Sequence, residues 1–145
     1  MKKIDRLSIL GICLLVSLCL ALPAVAYDSG VAVRTVLKAT TAANGQHHAY
    51  LRTDRPEVTA AVVEIAPGAE TGWHLHKAPV YAYVLAGTLA VQLEGGKEFV
   101  YEAGQAIVEV VNLAHNGRTV GKEKVRLIVF YTGEEGQPNS VKVQR

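Results

Sequence analysis

Between Val58 and Tyr131 the sequence breaks into short runs rich in β-branched residues, each closed by a glycine turn. That punctuation restricts the chain to an all-β sandwich or barrel. Val58–Ala66 runs into Pro67-Gly68, and Val80–Ala86 ends at Gly87. In Thr88–Glu94, Leu89, Val91 and Leu93 alternate against Thr88, Ala90 and Gln92, the pattern of a half-buried strand. Gly95-Gly96 turns into Lys97–Tyr101, Ala103-Gly104 turns into Ala106–Val111, and Val125–Tyr131 supplies a last long apolar strand. Upstream, Val31–Lys38 reads as a further strand followed by an Asn44-Gly45 turn. From Gly133 onward the chain is polar, carries Pro138, and is expected to wrap the outside. No helical stripe and no repeat competes with this reading.

The N-terminus differs in kind. Lys2, Lys3 and Arg6 precede an apolar stretch from Leu7 to Leu22, and Pro23-Ala24-Val25-Ala26 follows. This order of charge, apolar core and small residues is that of a secretory signal peptide, with cleavage expected after Ala26 and a periplasmic or secreted product. The stretch is shorter than the roughly 20 residues of a spanning helix. Cys13 and Cys19 lie inside the segment, so the mature chain carries neither disulfide nor thiol ligand. From Tyr27 onward, 119 residues form a single domain whose acidic and basic side chains balance, twelve of each. A neutral body of this kind offers nothing to nucleic acid, nor does the mature form offer anything to a membrane surface. A domain this small without disulfides leans on packing, on metal, and on pairing into a homodimer.

The chemistry gathers in two places. In Gly68-Ala-Glu-Thr-Gly-Trp-His74-Leu-His76, the two histidines are two residues apart. In an extended strand their imidazoles leave on one face, about 7 Å apart by backbone rise. Neutral imidazole binds zinc, iron, manganese, copper and nickel, and one strand's pair needs a ligand from elsewhere. His115, in the loop after Ala106–Val111, is the candidate. A bare His-x-His is more often surface or core than ligand, so the wider spacing matters.

Gly68, His74, His76, Val80 and Gly87 stand at the spacing of the first cupin motif, and Gly104 and His115 at that of the second. Over residues 58–131 the chain resembles small single-domain bacterial cupins, similar to those grouped as quercetin dioxygenase-like proteins. The resemblance implies a six-stranded antiparallel double-stranded β-helix, a barrel or jelly roll with a divalent metal at its mouth held by His74, His76 and His115. It implies iron first, with manganese, nickel, copper or zinc as the other ions such a site accepts. It also implies a dioxygenase-like oxidoreductase acting on a small molecule, the alternative being a cupin that holds a small ligand without turnover. Export without a twin-arginine pair places metal uptake outside the cytoplasm, where copper, zinc and nickel bind imidazoles more strongly than iron or manganese.

Three positions depart from the motifs. Val80 stands where the first motif has glutamate, Val110 and Asn112 where the second has proline and glycine, and Thr119 where it has asparagine, with Asn116 nearby. Glu109 can compensate, as metal ligand or catalytic base, because it is the only charged residue in Ala106–Val111. An outward-facing strand glutamate is the equal alternative. His47 and His48 beside the Asn44-Gly45 turn read as exposed, and Tyr81 and Tyr83, opposite in parity to Val80, as packed outside the barrel. Trp73 reads as core or pocket rim. Arg118 reads as a solvated arginine rather than a carboxylate clamp, and apolar Val80, Ala82 and Val84 as an inward face.

Overall fold

The computed structural model describes residues 30–144, and the signal segment with its cleavage point lies outside the described residues. The fold below is that of the compact unit Arg34–Arg145. Among the described residues nine strands run in chain order: β1 Pro56–Ile65, β2 His74–Leu75, β3 Val80–Ala86, β4 Thr88–Leu93, β5 Glu98–Glu102, β6 Ala106–Val108, β7 His115–Val120, β8 Val125–Glu134 and β9 Val141–Lys142. They form two antiparallel sheets, one ordered β1-β8-β3-β6 and the other β5-β4-β7-β2-β9. No helix occurs among the described residues. The architecture is the expected all-β jelly roll, with nine strands among the described residues rather than six because three short segments, β2, β6 and β9, join the sheets.

Alternation along the strands builds the interior. In β8, Val125, Leu127 and Val129 are buried while Arg126 and Phe130 face out, and β3 buries Val80, Ala82 and Val84 in the same rhythm. These residues join Leu89 and Ile107 in one cluster between the sheets. Each buried valine, leucine or isoleucine among them stabilises the fold by about 1.5–3 kcal/mol through area removed from water. The turns follow their glycines. Gly87 has φ +76°, and a Cβ there would lie 2.5 Å from the Lys124 carbonyl oxygen. The Pro67-Gly68 turn closes with Ala69 N–H donating to Ala66 O at 3.0 Å, and Gly68 has φ +74°.

Four expectations need correction. Residues 31–38 form no strand: Val36 and Leu37 are exposed, and β-branched character without a neighbouring edge does not make a strand. The strand beginning at Ala106 stops at Val108, three residues short. His115 does not lie in a loop; it opens β7, whose polar, glycine-containing sequence has little strand character of its own. The tail does more than wrap: β8 continues to Glu134, and β9 pairs with β2, placing Lys142 beside His74.

Candidate metal centre

Backbone pairing delivers the three histidines. His74 in β2 is in register with His115 at the head of β7, so their rings meet with centroids 4.4 Å apart. Two residues on, His76 forms a bridge with Val111, and its carbonyl accepts the Asn112 N–H at 2.8 Å. Asn112 adopts φ +57°, the left-handed conformation that asparagine tolerates better than most non-glycine residues. The glycine missing from the motif is thus replaced by a residue that makes the same turn. The His76 ring lies 5.0 Å from each of the other two, and one ligand atom from each of His74, His76 and His115 falls within 4.8 Å of the others.

Each ring is fixed through its outer nitrogen. His74 Nδ1–H donates to Gly72 O at 2.8 Å, His115 Nδ1–H to Leu113 O at 3.0 Å, and His76 Nδ1–H to Asn139 O at 2.8 Å. A carbonyl can only accept, so each Nδ1 carries the proton and each Nε2 turns a lone pair toward the common point. The Nε2 of His115 is buried and has no hydrogen-bond partner, the orphaned state expected of a nitrogen kept for an ion. Three neutral imidazoles suit the borderline divalent ions. The donor set therefore fits a metal.

Glu109 follows β6 and points inward. Its Oε2 lies 3.0 Å from His115 Nε2 and 3.4 Å from His76 Nε2, and the side chain is 17% exposed. The His115 approach is a close charge contact without hydrogen-bond alignment. Burial pushes the Glu109 carboxyl up, but the facing His115 and His76 outweigh burial and draw it down to about 2. For His115, burial pushes down and Glu109 more than compensates, leaving the imidazole above its ordinary value. His74, farther from the carboxylate, is pushed down by burial.

The cavity at this cluster has a volume of about 60 Å³, with His74, His76, His115 and Glu109 on one side and Val63, Leu127 and Tyr131 among the apolar residues facing them. Val80 is not among its walls; it lines a separate cleft beside the barrel mouth. Its side chain is nonetheless buried in the core between the sheets, and in register it stands between Tyr131 and Glu109, both of which line the cavity. Ala82 and Val84 are core, and neither lines the cavity.

The remaining candidates sit elsewhere. His47 is exposed, and His48 Nε2 meets the Tyr81 hydroxyl at 2.7 Å on the outer face. Tyr83 shares that face, and Trp73 is half-buried beside β2. Arg118 points away from the cavity and pairs with both carboxylate oxygens of Glu98 at 3.0 Å. Asn116 donates to Glu70 Oε2 at 2.7 Å. Thr119, in the motif's asparagine position, accepts the Gly68 N–H at 2.8 Å and so ties the first motif's turn to β7. Gly117 lines the cavity. Sequence reasoning missed Tyr131, although the inward parity of Val125, Leu127 and Val129 extends to it. It also missed Asn139, for which no local signal exists.

A jelly roll with a histidine cluster between its sheets and a buried carboxylate beside it defines a class of metal-binding β-barrels. Residues 61–131 match the Cupin domain model, and this part of the chain is a cupin domain. No curated protein matches the sequence. Among solved structures, an oxalate oxidase is 30% identical with a TM-score of 0.51, covering 59% of this chain and 46% of its own. A DMSP lyase from Ruegeria pomeroyi DSS-3 is 21% identical, TM-score 0.51, covering 59% and 43%. A Bacillus subtilis oxalate decarboxylase, described with Mn(II) centres, is 20% identical, TM-score 0.52, covering 59% and 24%. The chain thus spans less than half the length of each, and at these identities the lyase and decarboxylase speak to the fold alone.

Proposed function

We propose that the protein is an exported, metal-dependent oxidoreductase of the dioxygenase-like kind, acting in the periplasm or outside the cell on a small molecule that binds through oxygen. The observation that carries this reading is the set of three Nε2 lone pairs, each held in place by a carbonyl at Nδ1, around a cavity with room for little else. A divalent ion held by His74, His76 and His115 supplies a Lewis-acidic, redox-capable centre with coordination positions left for ligands. Glu109 offsets part of the charge that three neutral imidazoles leave at plus two. Its carboxylate stays ionised and stands where it can accept a hydrogen bond from a bound hydroxyl or acid and so orient it. The apolar walls, Val63 and Leu127 among them, exclude water and strengthen both effects.

The cavity's volume bears on the substrate. About 60 Å³ is well under the roughly 150 Å³ that admits a benzene ring. A flavonol does not fit it; dioxygen, water and the oxygen-bearing end of a small acid do. The likeness to oxalate oxidase supports small oxygen-rich acids over flavonols within the quercetin dioxygenase-like reading. The same tightness favours a second reading, a cupin that holds a small ligand on its ion without turnover. Oxygen uptake by the metal-loaded protein, screened over oxalate, glycolate, catechols, diketones, thiols and flavonols, separates the two. Metal-dependent uptake with a small acid is expected; saturable binding without uptake or product establishes the binding protein. Sequencing the N-terminus of protein from the periplasmic fraction should begin at Tyr27, and an intact Met1 in membranes contradicts export.

A further inference from the structure

Beside the metal cavity, on the far side of Tyr131, lies a cleft of about 190 Å³. Tyr131 lines both spaces, and its ring lies 5.7 Å from that of His76. The two spaces differ in what they admit. The metal cavity is too small for a six-membered ring, whereas the cleft exceeds the roughly 150 Å³ that takes benzene. Leu51, Pro79, Tyr131 and Pro138 give it apolar and aromatic walls.

Polar groups at the cleft are unequal. Glu134 is engaged by Arg55 at 3.3 Å, so its charge is already answered. Lys77 lines the same cleft, is exposed, and makes no ion pair among the described residues. Gln137 and Asn139 add amides. The cleft therefore combines a ring-sized apolar floor with one cation free of any ion pair among the described residues, a carboxylate already paired with Arg55, and neutral hydrogen-bonding groups. A neutral apolar molecule leaves the ammonium unanswered, and an amine meets it with like charge.

We propose that this cleft is a second small-molecule site, distinct from the metal cavity, and that its ligand is an aromatic carboxylate of about one ring. The ring lies against Tyr131 and Leu51, and the carboxylate faces Lys77. The site does not depend on the oxidoreductase reading, because none of the three histidines lines it.

The probes are benzoate, benzyl alcohol and benzylamine, added to the zinc-loaded protein and followed residue by residue through backbone amide shifts. Benzoate is expected to saturate in the millimolar range, with its largest shifts at Val80, Tyr131, Thr132 and Gln137. Lys77→Gln, an exposed substitution that leaves folding intact, should weaken benzoate at least about fivefold and leave benzyl alcohol unchanged. Three results overturn the proposal. Benzoate shifts centred on His74, Leu89 and Gly117 place the carboxylate on the ion instead. Benzylamine binding as tightly as benzoate removes the charge argument, and no saturable shift at the cleft with any probe removes the site. Because the shifts are residue-specific, loss of the cleft site and loss of the metal reading are separately visible.

Discussion

Each imidazole of the cluster is tied down at Nδ1, and the ties differ in origin. His74 and His115 reach back to the carbonyl two residues before them, Gly72 and Leu113, so those two rings are set by their own local backbone. His76 depends on Asn139, 63 residues away. His74 and His76 could be read from the sequence because a two-residue spacing in a strand puts side chains on one face, and His115 from its motif spacing after Gly104. Asn139 could not, because a carbonyl leaves no mark in side-chain sequence. Glu109 stood open between two faces, and the structure turns it inward, Oε2 3.0 Å from His115. Glu109→Gln keeps its shape and removes its charge. Metal affinity, measured by competition with a chromogenic chelator, should then fall at least about tenfold; unchanged affinity and activity would take the carboxylate out of the site. Val80→Glu in the Glu109→Gln background tests whether the two positions serve one site: residue 80 is buried between Glu109 and Tyr131, and recovered metal binding would place both on the ion.

In the metal-free protein the same contacts make stability depend on pH. Glu109 is depressed to about 2, so its contribution is present above 4.5 and lost as pH falls toward 2. His115 is raised, so its contribution is full below 6.5 and lost as pH rises through its higher folded value. Thermal melts of chelator-treated protein should peak between these limits. A metal-free protein whose melting point climbs steadily above pH 7 would contradict the pairing of His115 with Glu109.

At the scale of elements, strands with an alternating or wholly apolar pattern were readable: β1, β3, β4, β5 and β8 begin and end within three residues of where the residue pattern puts them. Two errors have one cause. β7 carries His115, Asn116 and Gly117, which have little strand preference, yet it forms because β4 and β2 flank it and satisfy its backbone. Residues 31–38 have the preference and lack the flanking edge. Strand formation in both cases follows the neighbours rather than the residues. Gly87, between β3 and β4, shows where a single backbone position is indispensable. Gly87→Ala must adopt φ +76° and place a Cβ 2.5 Å from the Lys124 carbonyl oxygen. It should cost about 1–3 kcal/mol by chemical denaturation, and a neutral substitution would mean the β3–β4 turn is free to shift.

At the scale of the whole molecule, the outer face of the four-stranded sheet is unusually apolar. Registers align Ala60, Phe130, Tyr81 and Val108 in one row and Val62, Ile128, Tyr83 and Ala106 in the next. Val58, Val62 and Phe130 are 65%, 56% and 43% exposed, and β1 forms the sheet's edge over ten residues. Val58, Ala60 and Val62 are symmetric about Ala60, so two antiparallel copies of β1 match apolar to apolar across a two-fold axis. A second copy of the chain is the expected occupant. Light scattering should give a dimer mass, reduced to monomer by Val58→Lys with Val62→Lys, and a wild-type monomer at tens of micromolar would contradict it.

Metal remains the claim on which the functional reading stands. Elemental analysis of protein purified without added metal, beside His76→Ala and His115→Ala, tests it most directly. With one ligand nitrogen from each of His74, His76 and His115 within 4.8 Å of the others, the account predicts about one divalent ion per chain in the wild type and its loss in both variants. Full occupancy retained in both variants, or a wild-type protein that takes up no zinc, iron, manganese, copper or nickel when each is offered in excess, would contradict it.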